Sequence, residues 1–180
     1  MHFTMADLVT DITQNAIESG ASLVELDVIE SEKEFRFHVK DNGKGMTKEE
    51  LTRAIDPFVT DGIKHPNRKV GLGLPFLIQT AEQSGGEWDI KSEKGKGTTV
   101  TAWFDTGNVD IPPLGDIPGM FRTILMFDSK AEIILRRKKQ DNDEYEIRKS
   151  ELIDALGGLE DVGSLVLLKE YLQSLEESDE

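Results

Sequence analysis

The chain has 180 residues, a length that one domain with a single hydrophobic core can fill. Its formal net charge of -14 argues against a broad nucleic-acid surface, because phosphate binding needs a concentration of Lys and Arg. The absence of cysteine excludes thiolate metal sites and cysteine nucleophiles, and no apolar stretch approaches the roughly 20 residues of a membrane span. We therefore expect a soluble, cytoplasmic protein.

The first 107 residues are predicted to contain three helices and two pairs of strands. Thr4 is a suitable N-cap for the first helix, and Thr47 with Glu50 forms the capping-box pattern of the second. Apolar residues at helical spacing or in partial alternation define the remaining elements. The predicted helices cover 5–19, 48–54 and 74–83, and the predicted strands cover 22–30, 35–41, 87–92 and 98–105.

Composition changes near Asn108, where a stretch rich in proline and glycine begins. This change predicts a boundary between a domain at 1–107 and an extension of strands and helices at 108–180. Leucines at 3-4-3 spacing near the C-terminus favour packing on the protein's own sheet over a short coiled coil. We expect the extension to pack on the core or to dock a partner, and a homodimer is compatible with it. Its predicted strands cover 122–127, 131–138 and 145–148, and its predicted helices cover 150–156 and 161–177.

The first predicted helix carries two polar residues one turn apart. Asp11 and Asn15 stand at i and i+4, so their side chains project from one face of the helix. Mg²⁺ takes few protein ligands beside water and substrate phosphates, so the single oxygen of Asn15 can complete its shell. Asp11 can then orient or deprotonate a group near the terminal phosphate. Taken alone, the pair is more typical of a solvated helix face.

A turn of the pattern Asp-x-Gly-x-Gly follows the second predicted strand. Asp41, at the end of the strand, can point its carboxylate into a pocket where an adenine amino group donates to it. Gly43 and Gly45 have no Cβ, so their backbone can approach a flat ring closely. Met46 can supply a soft apolar wall for the ring. Taken alone, an ordinary turn at the end of a strand explains the pattern.

A second glycine turn follows a long loop at 56–70. The loop lacks apolar periodicity, and loops of this length are often lids. The turn opens a helix, whose free backbone N–H groups and positive end favour an anion. Basic side chains of the loop can reach that anion when the loop closes, although solvation of a mobile loop explains them equally well. The residues assigned to this phosphate end are Lys64, Arg68, Lys69, Gly71, Leu72, Gly73 and Leu74.

Four motifs in this order resemble those of the gyrase, heat-shock chaperone, histidine kinase and mismatch-repair MutL ATPase superfamily. They are the N box at 11–16, the first glycine box at 41–46, the second at 71–74 and a Gly-Thr pair at 97–98. The resemblance implies ATP and Mg²⁺ as cofactors. It also implies an α+β fold, a two-layer α/β sandwich called the Bergerat ATP-binding fold, with helices on one face of a mixed, mainly antiparallel sheet.

The resemblance also implies roles for single residues. Asn15 ligates Mg²⁺, Asp41 binds the adenine amino group, and Thr98 supports the network of Asp41 and water, while 56–70 is the ATP lid. Hydrolysing members place a Glu four residues before the Asn, whereas this chain has Asp11 there. Asp is one methylene shorter, and a shift of about 1 Å in a catalytic group can cost about 10²-fold in rate. Fast autonomous hydrolysis is therefore not expected.

The motifs leave the subfamily open. Residues 56–60 with the second glycine box are similar to histidine kinases, whereas 15–22 are similar to MutL. No helical hairpin with a phosphoacceptor His stands before the N box, so the acceptor is expected on a separate protein. We expect an enzyme nearest to a stand-alone histidine kinase catalytic domain. The alternatives are a nucleotide-gated protein-binding module and a slow ATPase subunit of a larger complex. ATP and a protein are the expected partners, without nucleic acid or membrane.

Overall fold

In the part of the chain that the structure describes, six strands form one sheet, and helices pack against a single face of it. The structure is a computed structural model that describes residues 3–58, 73–140 and 143–177. Within those residues, no helix is both long and apolar enough to cross a membrane. The helices are α1 (Met5–Glu18), α2 (Lys48–Ile55), α3 (Gly73–Gln83), α4 (Ile117–Leu125), α5 (Lys149–Leu156) and α6 (Val162–Glu176). The strands are β1 (Leu23–Glu30), β2 (Glu34–Asp41), β3 (Glu87–Glu93), β4 (Gly97–Asp105), β5 (Glu132–Lys138) and β6 (Glu144–Arg148).

The strands lie in the order β3-β4-β2-β1-β5-β6. Every pair of neighbours is antiparallel except β1 and β5, which run parallel. A parallel pair needs a long crossover connection, and the whole segment 31–131 lies between these two strands in the sequence. The expected mixed, mainly antiparallel sheet is confirmed.

The two faces of the sheet differ in polarity. Side chains alternate along a strand, so β2 turns Phe35, Phe37 and Val39 to one face and Arg36 and Lys40 to the other. The apolar face joins buried residues of α1, α3, α4, α5 and α6 in one core. This arrangement confirms the predicted α+β fold with helices on one face of the sheet.

Arg136 links three strands on the polar face. It donates to Glu25 at 2.8 Å and to Asp27 at 3.2 Å, both on β1, and to Glu146 on β6 at 3.0 Å. The hydrogen bond to Glu25, with those to Glu146 and Asp27, raises the pKa of Arg136 above its ordinary value. The groups are partly exposed, so each pair contributes little to stability.

Reciprocal capping bonds start the first two helices, where the sequence predicted Thr4 as an N-cap and a full capping box at Thr47. In α1, Thr4 accepts from the Asp7 N–H at 3.1 Å, and the Asp7 carboxylate accepts from the Thr4 N–H at 2.9 Å. In α2, the hydroxyl of Thr47 accepts from the Glu50 N–H at 3.1 Å. α2 buries none of its residues, and the Lys94 ammonium, 2.9 Å from the Glu50 carboxylate, ties it to the β3–β4 turn.

The strand predicted over 122–127 is wrong, because 122–125 belong to α4 and 126–127 follow its end. The helix begins after Asp116, whose carboxylate accepts from the Gly119 N–H at 2.9 Å. Pro118 lies in the first turn, where its missing N–H costs nothing. The buried apolar residues of α4 are spaced three and four apart and turn one helix face to the core. These are Ile117, Met120, Phe121, Ile124 and Leu125.

Residues after 108 extend the same sheet and the same core. β5 pairs with β1 along its whole length, and α4 contacts both α1 and α6. Leu168 and Leu172 of α6 are buried in the core, which confirms that the C-terminal leucines pack on the protein itself. The boundary between 1–107 and 108–180 stays a prediction.

A buried cluster around Arg137 fastens the end of α6 to the sheet. The Arg137 side chain is 2 % exposed and donates to Glu30 on β1 and to Glu176 on α6. The hydroxyl of Tyr145 donates to Glu176 at 2.6 Å. Burial and this carboxylate raise the pKa of Tyr145 above its ordinary value. The C-terminal helix is therefore held by charge as well as by its leucines.

Two glycines allow the turn after β2 and the turn between β3 and β4 to interlock. A Cβ on Gly45 would overlap the carbonyl of Glu93, and a Cβ on Gly97 would overlap the carbonyl of Asp41. Both glycines have positive φ, at 65° and 129°. The Gly95 N–H donates to the Lys44 carbonyl at 2.7 Å and completes the contact. The close fit fixes the end of β2 against the start of β4.

The interlock predicts different effects for two glycine substitutions in these turns. Gly45→Ala adds a methyl group where the Glu93 carbonyl lies, whereas Gly95→Ala meets nothing within 4 Å. Both residues have positive φ, so each substitution costs about 1–2 kcal/mol for the backbone. Gly45→Ala should lose about 1–3 kcal/mol more, because the turns must separate. Urea unfolding of both variants measures the difference, and equal losses would contradict the interlock.

Candidate functional site

α1 and α3 meet where the N box and the second glycine box come together. Asp11 and Asn15 are exposed on α1, one turn apart. A Cβ on Gly73 would lie 3.3 Å from Asn15 Nδ2 and 3.9 Å from Asp11 Cβ. The first residue of α3 therefore lies directly against these two polar residues.

Asp41 is a buried carboxylate, 8 % exposed, at the end of β2. Its Oδ1 accepts from the Gly43 N–H at 2.8 Å and lies 3.2 Å from the Ser19 hydroxyl, which is also 2.6 Å from the Ala16 carbonyl oxygen. Burial raises the pKa of Asp41, against the hydrogen bonds from Gly43, Ser19 and the Thr98 backbone, which lower it. The Gly43 and Ser19 bonds both end on Oδ1, so Oδ2 receives at most the Thr98 backbone N–H and keeps at least one of its two lone pairs for another donor.

Asp41, Thr98 and Ser92 form a row across β2, β4 and β3. The register pairs Asp41 with Thr98 and Thr98 with Ser92. The hydroxyls of Ser92 and Thr98 are 2.7 Å apart, and the Ser92 hydroxyl also accepts from the Met46 N–H at 2.8 Å. Thr98 and Met46, two predicted site residues, are therefore connected through a third residue.

The glycines of the first glycine box have a structural reason of their own. Gly43 and Gly45 were expected to allow the close approach of a flat ring. A Cβ on Gly43 would overlap the side chain of Ser19, and one on Gly45 would overlap the carbonyl of Glu93. The space beside each glycine is thus filled by the protein, which accounts for both without a ligand.

The polar edge of α1 connects Asp41 with the contact between α1 and α3. Asp11, Asn15 and Ser19 stand at intervals of four residues, and four residues rise about 6 Å along a helix. Ser19 contacts Asp41 directly, while Asn15 and Asp11 lie about one and two turns away, beside α3. The site therefore has a buried hydrogen-bond acceptor, Asp41, at one end. At the other end, exposed oxygens lie next to the N-terminus of α3.

Part of the predicted site lies outside the described residues. Within 59–72 are Lys64, Arg68, Lys69, Gly71 and Leu72, together with nearly all of the predicted lid. Leu74, the remaining member of the second glycine box, is half-buried and packs against the core. Across the ranges that the structure describes, no three acidic or histidine side chains cluster as ligands for a metal ion.

Sequence reasoning missed two members of the site, Ser19 and Ser92. Ser19 follows Asn15 by four residues, so the helical period that related Asp11 to Asn15 also points to it. Ser92 could have been found from the predicted hairpin, because a turn centred on Gly95 places residues 92 and 98 opposite each other.

Comparisons with known proteins give a family model and relatives that are similar to this chain. The family model described as histidine kinase-, DNA gyrase B- and HSP90-like ATPase matches residues 4–108. The sensor histidine kinase ZraS of Escherichia coli K12 is 30% identical over 104 residues, which are 58% of this chain and 19% of that protein. The sensor protein SrrB of Staphylococcus aureus NCTC 8325 is 39% identical over 72 residues, 39% of this chain and 12% of that protein. The match thus spans less than a fifth of either relative.

A solved structure, the catalytic domain of the histidine kinase ThkA, is 21% identical at a TM-score of 0.41 and covers 55% of this chain and 62% of its own. The family model spans more than half of the present chain and includes the α1 edge, Asp41 and the row through Thr98. On this match, the chain belongs to the family of histidine kinase-, DNA gyrase B- and HSP90-like ATPases.

Proposed function

We propose that this chain binds ATP with Mg²⁺ and transfers the γ-phosphate to a separate protein. The observation that carries the proposal is the α1 edge, which joins the buried acceptor Asp41 to the exposed Asn15 and Asp11 beside α3. A nucleotide with its base at Asp41 would run along this edge and bring its phosphates to α3. The membership of the ATPase family supports the same ligand.

The base end of the proposed site suits adenine. The free lone pair on Asp41 Oδ2 can accept from an exocyclic amino group. The carboxylate cannot move far to meet it, because Oδ1 is held by Gly43 and Ser19. Met46, half-buried beside this turn, can cover one side of the ring.

The phosphate end suits a metal-bound anion. Asn15 can contribute its amide oxygen to Mg²⁺, whose other ligands would be phosphate oxygens and water. The positive end of α3 lies next to that amide and favours negative charge. When bound, Mg²⁺ neutralises the charge that develops during phosphoryl transfer. The roles of Lys64, Arg68, Lys69, Gly71 and Leu72 at this end stay predictions.

Asp11 is assigned to orient the acceptor rather than to drive hydrolysis. It is exposed and stands one turn before Asn15, so its carboxylate can reach a group near the terminal phosphate. Its side chain is one methylene shorter than the Glu of hydrolysing members. The same short reach favours a second candidate function, a nucleotide-gated module that binds ATP and recruits a partner without transferring phosphate.

Asp41→Asn should weaken ATP binding by about 10- to 100-fold. The substitution keeps the shape but replaces an ionised acceptor by an amide, and a hydrogen bond to a charged group contributes roughly 1.5–3 kcal/mol. Titration calorimetry with Mg²⁺ and ATP measures the loss. Asp110→Asn, at an exposed position outside the site, is the matched control and should bind ATP normally. Unchanged affinity in Asp41→Asn would defeat the assigned base pocket.

ATP affinity should fall on acidification at a higher pH than an exposed aspartate would cause. Burial raises the pKa of Asp41, and protonation removes the charge that accepts from the amino group. Binding is therefore present above this raised pKa and lost as the pH falls through it. Calorimetry at pH steps from neutral downward tests this, with Asp41→Asn separating the step from titration of the phosphates. A step that persists in the variant would assign it to another group.

Turnover separates the candidate functions. Purified protein is incubated with Mg²⁺ and ATP labelled at the γ-phosphate, and free phosphate and protein-bound label are followed together. For a kinase whose acceptor is absent, ATP should bind and release little phosphate. Rapid release that disappears in Asp11→Ala would instead identify an ATPase with Asp11 as its base. Tight ATP binding that protects 56–70 from protease, without label transfer when acceptor proteins are added, would favour the nucleotide-gated module.

A further inference from the structure

We infer that Ser92 is a positioning residue that sets the direction of the Thr98 hydroxyl and thereby favours adenine over guanine. The inference rests on the proposed ATP site. Ser92 lies on β3, two strands away from Asp41, and acts through Thr98, which lies between them in the sheet.

The partners of Ser92 account for every hydrogen-bonding position of its hydroxyl. Ser92 Oγ lies 2.8 Å from the Met46 N, 2.7 Å from Thr98 Oγ1 and 3.2 Å from the Gly97 carbonyl oxygen. A hydroxyl has one proton and two lone pairs. The Met46 N–H takes one lone pair, and the carbonyl of Gly97 can only accept. Satisfying all three partners requires Ser92 to donate to Gly97 and to accept from Thr98.

This arrangement leaves Thr98 as an acceptor toward the site. Either oxygen of the Ser92–Thr98 contact can donate, and this assignment gives the only proton of Thr98 to Ser92, so the remaining lone pairs of Thr98 point elsewhere. Asp41, directly opposite Thr98 in the sheet, is also an acceptor. Two adjacent acceptors suit the amino group at position 6 of adenine. The carbonyl oxygen at position 6 of guanine would place lone pairs against lone pairs, which costs binding energy.

Removal of the Ser92 hydroxyl should relax this preference. In Ser92→Ala, the Thr98 hydroxyl loses its fixed acceptor and can turn its proton toward the site, where it meets the guanine carbonyl. The ratio of ATP to GTP affinity should fall roughly three- to tenfold, the value of one ordinary hydrogen bond. Ser92→Thr retains the hydroxyl on a residue suited to a strand and should restore the ratio.

The test measures the dissociation constants of ATP and GTP, each with Mg²⁺, by calorimetry. The variants are Ser92→Ala, Ser92→Thr, Thr98→Val and the double variant Ser92→Ala with Thr98→Val. If Ser92 acts through Thr98, adding Ser92→Ala to Thr98→Val should change the ATP to GTP ratio no further. Thr99→Val is the matched control, because Thr99 is the next residue of β4 and faces the polar side of the sheet. It should leave both constants unchanged.

Each outcome decides the inference. The inference is supported if the ratio of ATP to GTP affinity falls in Ser92→Ala and keeps its wild-type value in Ser92→Thr. It also requires that adding Ser92→Ala to Thr98→Val lowers this ratio no further. Equal weakening of both nucleotides, with lower thermal stability, would make Ser92 merely structural and overturn it. If Ser92→Ala does not fold, Thr98→Val decides, and an unchanged ratio there overturns the inference. If the wild-type protein binds ATP, either overturning result leaves the proposed function intact, whereas wild-type protein that binds neither nucleotide overturns both.

Discussion

The close contact between the turn after β2 and the β3–β4 turn is the constraint on which the site depends. Gly45 lies against the carbonyl of Glu93, and Gly97 lies against the carbonyl of Asp41, so neither turn can move without the other. This contact sets the depth at which Asp41 is buried and brings the Met46 N–H to Ser92. The glycines matter because the fit leaves no room for a Cβ on either side.

α1 performs two tasks with two faces of one helix. Its apolar face fills the core, and its polar edge carries Asp11, Asn15 and Ser19 in successive turns. Packing of the apolar face fixes the position of the polar edge, because a helix that is packed along its whole length cannot rotate its exposed edge. The proposed metal ligand and the proposed adenine acceptor are thereby held in one frame, although Asp41 lies on a different element.

Local sequence patterns predicted those helices and strands whose formation depends on residues close in sequence. The reciprocal capping bonds at Thr4 and Thr47 and the pairing of β1 with β2 depend on residues close in sequence, and both are present. The error at 122–127 arose because β-branched and aromatic residues favour a strand in isolation, while the Asp116 cap and the core-facing spacing favour α4. Ser92 was overlooked because its role depends on a cross-strand register rather than on a motif.

By itself, the sequence determined the order of the motifs and the capped starts of α1 and α2, because residue type and spacing act over a few residues. Only the tertiary structure decided that Gly73 begins α3 against Asn15, that Ser19 reaches Asp41, and that β5 joins β1 in parallel. These contacts connect segments far apart in the chain. These long-range contacts form where the common core packs best, and no local sequence pattern specifies them.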